Sequence, residues 1–343
     1  MSAASGGNPA RGAPSADCRP RATLATLQLR ARLMAIARAF FDTRGYFEVD
    51  VPLLSADRVI DPHLQPFVVL PAESASGRGD ARYLQTSVEF GMKRLLAAGA
   101  RQIYQLSHVF RADERGPRHN PEFTMLEWYA TGTDHRDQMR LTEELVRELF
   151  AGAGLPLAAP FEVSTYREIF LKHAGIDPFT ATGVELVNVA RQRELAVPES
   201  LSATDRDGWL NLLLAFVIEP HLGADGPEFV VDYPPSQAAL AQIRDGGTPV
   251  AERFELYLRG IELCNGYHEL TDAGELRQRI EAESARRAEE GLPALPAGNR
   301  LLEAMEAGLP PCSGNALGFD RVVWLISGLP ELADVLPFDW ERA

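Results

Sequence analysis

The sequence predicts an α+β fold, an antiparallel sheet flanked by helices. Apolar residues recur at helical spacing from Leu27 to Thr43, which indicates an amphipathic helix. Residues 103–111 and 121–129 each alternate in polarity and flank a charged loop, which predicts an antiparallel hairpin. A second pair of strands joined by a tight turn is predicted within residues 251–273. On length alone, 343 residues allow one large α/β or α+β domain or two smaller ones.

The other elements follow from the same periodicities. Further helices are predicted at 88–98, 136–151, 166–174, 207–219, 273–290 and from Phe319, and further strands within 47–55, 83–86 and 228–241. Pro52 removes a backbone donor, so its strand is expected at an edge or an interface. Residues 72–82 are predicted to be a flexible turn. Residues 1–22 predict a disordered tail, or less directly a transit peptide, before one domain at 23–343.

Composition excludes several classes of protein. The net charge of −14 argues against a broad basic face that would bind the phosphate backbone of a nucleic acid. The three cysteines are far apart and form no CxxC, so we expect neither a disulfide framework nor a cysteine zinc site. No apolar run approaches the roughly 18 residues that span a bilayer. The seven histidines are scattered without metal-ligand spacing. A reducing cytoplasm fits this pattern.

Two arginines and two glutamates suggest a triphosphate site. Arg111 and Arg321 each lie beside a Gly- or Pro-rich turn, and Glu255 and Glu262 flank a tight turn. Arginine suits phosphate oxygens, and hard carboxylate ligands suit Mg²⁺. The chain has no GxxxxGK[ST] motif, so a P-loop is excluded, and it has no GxSxG motif.

The strand at 121–129 carries an unusual carboxylate. Phe123, Met125, Glu127 and Tyr129 share one face, because side chains of a strand alternate. A carboxylate between aromatic residues on a half-buried face needs a cationic partner. An ordinary hairpin with Glu127 at its rim is equally compatible with this alternation.

Three longer motifs resemble those of one enzyme family. RGYFEVDVP at 44–52, FRADE and RHNPEFTMLEWY within 110–129, and GNALGFDR at 314–321 resemble motifs 1, 2 and 3 of the class II aminoacyl-tRNA synthetases. The resemblance is to the lysyl group and covers about residues 25–342. It implies the antiparallel sheet of that family, ATP and Mg²⁺ as cofactors, and a homodimer formed through motif 1.

The resemblance also implies roles in binding ATP. Arg111 would contact the α-phosphate and the substrate carboxylate, and Phe123 would stack on adenine. Arg321 would cover the other face of adenine near the γ-phosphate; it and Arg111 are the expected catalytic residues. The rest of the implied ATP site comprises Asp113, Glu114, Arg118, His119, Asn120, Gly318 and the Mg²⁺ ligands Glu255 and Glu262. Asp113 replaces the glutamate of the family, and Glu114 could substitute for it.

Lysine recognition is implied at the other end of the site. Glu89, Glu127, Tyr129, Asn265 and Glu269 match the residues that hold lysine. A diamine carries two ammonium groups, so a desolvated pocket needs several carboxylates. Ser87 and Cys264 stand where lysyl synthetases have Ala and Gly, which suggests a pocket wall shaped for (R)-β-lysine. Alternatively, Cys264 is simply a small buried residue.

The resemblance extends to a subgroup without an anticodon domain. Motif 1 begins soon after the predicted tail, so no anticodon-binding module is expected. The chain resembles the truncated paralogues that ligate lysine, preferably (R)-β-lysine, to a lysine of elongation factor P, and the net charge makes tRNA a less expected acceptor. A cytoplasmic enzyme with no membrane partner is expected. A lysyl-tRNA synthetase-like enzyme acting on tRNA and a non-catalytic regulatory paralogue remain alternatives.

Overall fold

A computed structural model describes residues 18–57, 64–70, 81–198, 201–202, 204–289 and 299–343. The α-helices in these ranges are α1 (Leu24–Asp42), α2 (Glu89–Ala97), α3 (His135–Gly152), α4 (Tyr166–His173), α5 (Gly183–Gln192), α6 (Arg206–Leu213), α7 (Ala273–Glu289), α8 (Arg300–Gly308) and α9 (Phe319–Ser327). None of these helices combines the length and apolarity needed to cross a membrane.

Most strands belong to one large sheet. The strands are β1 (Phe47–Glu48), β2 (Leu54–Ser55), β3 (Val68–Val69), β4 (Arg82–Leu84), β5 (Gln102–Phe110), β6 (Glu122–Thr131), β7 (Glu162–Thr165), β8 (Glu228–Tyr233), β9 (Ile243–Arg244), β10 (Val250–Leu258), β11 (Ile261–His268) and β12 (Cys312–Gly318). The large sheet has the order β1-β5-β6-β12-β11-β10-β8-β7, with β9 beside β10. Strands β2, β4 and β3 form a small second sheet. The predicted α+β class is confirmed.

The pairing within the large sheet is antiparallel except at its ends. Strands β1 and β7 run parallel to β5 and β8, and the other pairs in the described ranges are antiparallel. The predicted hairpin is confirmed as β5 and β6, with Leu106 opposite Leu126. The second predicted pair is confirmed as β10 and β11. Their turn uses Arg259 and Gly260, both with positive φ.

The alternation of β6 separates a core from a cavity. Leu126 and Trp128 are fully buried in the core beneath α1 and α3, where the Phe41 ring lies tilted against that of Trp128. The Trp128 indole N–H donates to Gln138 of α3 at 2.7 Å. Helix α3 begins at His135 because the Asp134 side chain caps it. The opposite face of the strand, which includes Phe123, borders a cavity, as its parity predicted.

Two predicted elements differ from the structure. The strand predicted at 47–55 is interrupted around Pro52, leaving only β1 and β2, because proline cannot donate to a ladder. The helix predicted at 207–219 is α-helical only to Leu213, then continues as a π-helix at Leu214–Ile218 and a 3₁₀ turn at Glu219–His221. Pro220 lies in that last turn and cannot extend an α-helical ladder.

The predicted tail and turn lie largely outside the described residues. Residues 1–17 and 71–80 are not described. Arg21 and Ala22, however, belong to the fold. Arg21 pairs with three carboxylates near the end of the chain, and Ala22 is buried. The predicted boundary of the tail at residue 22 is therefore too late.

The segment at 156–228 forms a second apolar core. Its helices α4, α5 and α6 pack against β8 and β10. The Tyr166 ring stacks on that of Phe170, with 4.5 Å between the ring centres. It also packs against Tyr233 of the sheet, with 4.8 Å between the ring centres. The segment thereby covers the end of the sheet formed by β10, β8 and β7.

A buried ion pair joins three elements. Arg30 of α1 lies 2.5 Å from a carboxylate oxygen of Asp320 in α9 and donates to the hydroxyl of Thr124 in β6 at 2.6 Å. The Thr124 backbone N–H donates to the other oxygen of Asp320 at 2.9 Å. Both carboxylate oxygens are therefore hydrogen-bonded, as a buried charge requires.

We expect Asp320→Asn to lower the free energy of unfolding by about 3 kcal/mol or more, because it leaves Arg30 charged and buried without its anion. Urea denaturation measures this loss. Glu48→Gln is the control: it removes an exposed partner of Arg38 and should cost less than about 1 kcal/mol. Similar losses in both variants would contradict the prediction.

Candidate active site

A cavity of about 350 Å³ lies against the face of the sheet that β6, β11 and β12 present. Most of the residues predicted to form a site border it. They are Ser87, Glu89, Arg111, Glu114, Arg118, His119, Asn120, Phe123, Tyr129, Glu255, Glu262, Asn265, Glu269, Gly318 and Arg321. Three predicted residues are not among its lining residues, namely Asp113, Glu127 and Cys264.

Arginines dominate one end of the cavity. Arg111 lies at the end of β5, and its guanidinium lies 5.0 Å from the centre of the Phe123 ring. It donates to Glu114 at 3.0 Å and to the carbonyl of Thr86 at 3.3 Å. Arg118 donates to the carbonyl of Gly260. These contacts leave guanidinium N–H groups of both arginines for an anion.

Arg321 reaches this end from the first turn of α9. It donates to the backbone carbonyl of Glu262 at 2.8 Å and lies 3.4 Å from the Glu262 carboxylate. Its other nitrogen lies 3.0 Å from Nε2 of His119. Burial and the Arg321 charge lower the pKa of His119, which favours the neutral ring. A neutral His119 can accept a hydrogen bond from Arg321.

The two glutamates predicted to bind Mg²⁺ border the same cavity. Glu255 is buried, and its oxygens accept hydrogen bonds from Arg253, Tyr233 and Tyr257. Burial and the nearby Glu255 raise the pKa of Glu262. Two neighbouring carboxylates fit Mg²⁺, which protein sites commonly hold through one or two carboxylates and substrate phosphates.

Two charged residues at this end were not predicted. Arg253 is two residues before Glu255 and donates to it and to Asn265. Strand parity could have found Arg253, because it shares a face with Glu255. Burial, with Glu262 and Glu255, raises the pKa of Glu219 to about 7. No sequence pattern pointed to Glu219.

Carboxylates dominate the other end of the cavity. Glu89, at the first position of α2, and Glu269 both border it. Lys93, one turn along α2, lies 2.5 Å from an oxygen of each. Burial acts to lower the pKa of Lys93, but Glu269 and Glu89 more than offset this and raise it. Lys93 was not predicted, although its spacing of four residues from Glu89 was a usable signal.

Glu127 lies behind the wall of the cavity. It is fully buried and accepts hydrogen bonds from the Ser87 hydroxyl at 2.8 Å, the Val88 backbone N–H at 2.9 Å and the Tyr129 hydroxyl at 3.4 Å. Burial nevertheless raises its pKa to about 7. Burial also raises the pKa of Glu269 to about 8, despite Lys93. Among the described residues, Glu89, Glu127 and Glu269 thus outnumber Lys93, the buried cation that pairs with two of them.

Gly314 on β12 leaves room for these groups. A Cβ atom at this position would lie 2.2 Å from two ring atoms of Tyr129 and 2.9 Å from a carboxylate oxygen of Glu269. Any larger residue would therefore displace Tyr129 or Glu269. The glycine is required by close packing here rather than by its backbone conformation.

Two sequence expectations need correction. Cys264 is buried in the core beneath the sheet, whereas its neighbours Leu263 and Asn265 border the cavity. It cannot shape the substrate wall directly, because adjacent side chains of a strand point to opposite faces. The small residue that borders the cavity beside Asn265 is Ala316 of β12. Glu114 rather than Asp113 borders the cavity and contacts Arg111.

Comparison with known proteins identifies the family. The family model described as tRNA synthetases class II (D, K and N) matches residues 13–342. The chain belongs to this family. Among curated relatives, the protein named "Elongation factor P--(R)-beta-lysine ligase" from Enterobacter sp. (strain 638) is 44% identical over 329 residues, 96% of this chain and 99% of the relative. Relatives of the same name from Salmonella typhi and Edwardsiella ictaluri are 44% and 43% identical, each over 96% of this chain and 99% of their own length.

We expect Glu127→Gln to weaken the pH dependence of the free energy of unfolding of this chain. Its folded pKa of about 7 lies above the ordinary value of 4.5, so the folded state retains the proton longer than the unfolded state. Raising the pH from about 5 to about 8 should therefore lower the free energy of unfolding of the wild type more than that of Glu127→Gln. The difference should be on the order of 2 kcal/mol.

Urea denaturation at each pH measures this difference. Glu122→Gln is the matched control, because Glu122 is exposed on the same strand, and it should keep the wild-type slope. Parallel pH profiles for Glu127→Gln and the wild type would show that Glu127 has no raised pKa.

Proposed function

We propose that this protein is an ATP-dependent ligase that activates (R)-β-lysine, or lysine, as an aminoacyl-adenylate and transfers it to the ε-amine of a lysine on elongation factor P. The curated relatives that carry this name match the chain over nearly its full length. Membership of the class II synthetase family supports activation by ATP.

One observation supports the substrates most directly: a single cavity has several arginines at one end and carboxylates around Lys93 at the other. Arg111, Arg118 and Arg321 border the first end, where the phosphates of ATP would lie. Glu89 and Glu269 border the second, where the ammonium groups of a diamine would lie. Such a ligand would lower the raised pKa of Glu269, because a nearby cation favours the ionised carboxylate.

The first step needs position and charge stabilisation rather than a protein nucleophile. An oxygen of the amino-acid carboxylate attacks the α-phosphorus, and the bond from that phosphorus to the bridging oxygen breaks as pyrophosphate leaves. Arg111, between Phe123 and the amino-acid end, would hold the carboxylate and the α-phosphate together. Arg321 would balance charge on the departing phosphates.

Glu255 and Glu262 would hold Mg²⁺ in this proposal. The ion supplies charge neutralisation of the phosphate oxygens when it is bound. Arg253, Tyr233 and Tyr257 fix the carboxylate of Glu255. These hydrogen bonds hold the Glu255 carboxylate rigidly. A rigid ligand suits Mg²⁺, because this ion demands a near-ideal coordination geometry.

In the second step the acceptor amine attacks the acyl carbon of the adenylate. A new amide bond forms, the bond from the acyl carbon to the phosphate oxygen breaks, and AMP leaves with that oxygen. The amine must lose a proton, which can pass to solvent or to the AMP phosphate. The step requires an open path from the cavity to an acceptor lysine but no covalent intermediate on the enzyme.

We also propose a cytoplasmic homodimer formed through the segment that resembles motif 1. Phe47 and Leu54 flank Pro52 and expose about half of their surface, at 53% and 46%. Exposed apolar residues at a sheet edge favour a partner. The described cysteines are all free, which is compatible with a reducing compartment.

The acceptor can be identified by ATP-dependent transfer of labelled lysine or (R)-β-lysine, with elongation factor P or tRNA as the acceptor. We expect label on elongation factor P and none on tRNA. A factor whose acceptor lysine is replaced by arginine is the matched control and should stay unlabelled. Label on tRNA, with an unlabelled factor, would contradict the proposal and favour a synthetase-like function.

We expect Glu269→Gln to abolish amino-acid-dependent exchange of pyrophosphate into ATP, because a neutral amide cannot balance a substrate ammonium group. Binding of ATP, measured separately, should persist, because Glu269 lies at the other end of the cavity. Glu122→Gln, on the exposed part of β6, should keep wild-type exchange. Retained exchange in Glu269→Gln would mean that the amino-acid pocket is assigned to the wrong residues.

A further inference from the structure

Three potential metal ligands meet on the face of the sheet opposite to the active-site cavity. His135 is the first residue of α3, Glu252 lies in β10, and His268 ends β11. One donor atom from each lies within 4.8 Å of the others, and the described residues contain no other such group of three histidines, cysteines or acidic residues. Tyr267 of β11 borders the cavity. Because successive side chains of a strand point to opposite faces, His268 lies on the other face of the sheet.

The glutamate of this cluster is already oriented. Its Oε2 lies 2.5 Å from Nδ1 of His268. Its Oε1 accepts a hydrogen bond from Arg244 at 3.1 Å, and Arg244 also donates to Asp232 at 2.7 Å. Outer contacts of this kind commonly orient the carboxylate ligand of a metal. Glu252 can therefore direct one oxygen towards the two histidines.

His135 is the second observation that favours a ligand here. The residue is only 4% exposed, and its Nδ1 is buried with no hydrogen-bond partner among the described residues. A buried ring nitrogen without a partner costs free energy, so native proteins rarely leave one unsatisfied. Its ring stacks beside that of His268, with 6.5 Å between the ring centres. A shared ligand between the two rings would remove this cost.

We propose that His135, Glu252 and His268 bind a transition-metal dication of the zinc class. Two imidazoles and one carboxylate are a donor set that Zn²⁺ accepts, with water as the fourth ligand. With bonds of about 2.0–2.1 Å, tetrahedral donors lie about 3.3 Å apart. Modest side-chain rotations would bring the three donors to that spacing.

The position of the cluster suggests what the ion would do. It would join the start of α3 to the hairpin of β10 and β11, which lies far from α3 along the chain. The side chains of His268 and Glu252 are 22% and 15% exposed, so an ion has a path from solvent. His268 directly precedes Glu269 of the active-site cavity. The bound ion would therefore fix the end of the strand that leads to that carboxylate.

Zinc titration of the full chain tests the proposal, with excess Mg²⁺ present to occupy carboxylate-only sites. We expect one equivalent of Zn²⁺ per chain, and a visible absorption band when Co²⁺ replaces it. His135→Gln and His268→Gln should each weaken binding by at least about tenfold. His173→Gln and His221→Gln are matched controls, because this second stacked pair lies outside the cluster, and Cys18→Ser controls for an exposed thiol. All three should bind as the wild type does.

Thermal unfolding gives a second measurement. Zn²⁺ should raise the midpoint of the wild type and the control variants but not that of His268→Gln, because only a native site stabilises the folded state. His268 is partly exposed, so this variant decides the question even if His135→Gln fails to fold. Absence of stoichiometric binding, unchanged binding in His268→Gln, or loss of binding in the controls would each overturn the proposal. None of these outcomes depends on which substrate the enzyme ligates.

Discussion

The buried contact between Arg30 and Asp320 holds together the parts that build the active-site cavity. Arg30 comes from the first helix, Asp320 from the last, and Thr124 from the central strand between them. Each partner is adjacent to a functional group: Thr124 follows Phe123, and Asp320 precedes Arg321. The pair is stable because each charge has its partners, and breaking it would strand a charge in the core. The position of Arg321 thus depends on the buried contacts of its neighbour Asp320.

The two ends of the cavity carry different sets of charged groups. At the anionic end, Glu89 and Glu269 share Lys93, while Glu127 lies behind them with its pKa raised to about 7. In the proposed function, the ammonium groups of the substrate would balance these carboxylates. At the other end, Arg111 and its neighbours favour an anion. A ligand that carries both an anionic and an ammonium group would match these two ends.

Much of the fold was predictable because local periodicity carries it. The β5–β6 hairpin and the face shared by Phe123, Met125 and Tyr129 follow from alternation alone. The same alternation could have excluded Cys264, since its neighbour Asn265 borders the cavity. The interruption at Pro52 also had a local cause, the missing backbone donor of proline. The sequence analysis recognised this cause but still predicted one continuous strand there.

The sequence by itself determined many of the segments that form helices and strands, which family the motifs resemble, and most of the residues that border the cavity. Only the tertiary structure decided which distant residues touch. Lys93 meets Glu269, and His135 meets Glu252 and His268, across more than a hundred residues of chain. Alternation and helical period describe one element at a time, whereas such contacts arise from how elements pack. Burial then sets the charges, because desolvation and neighbouring groups, not residue type, shift a pKa.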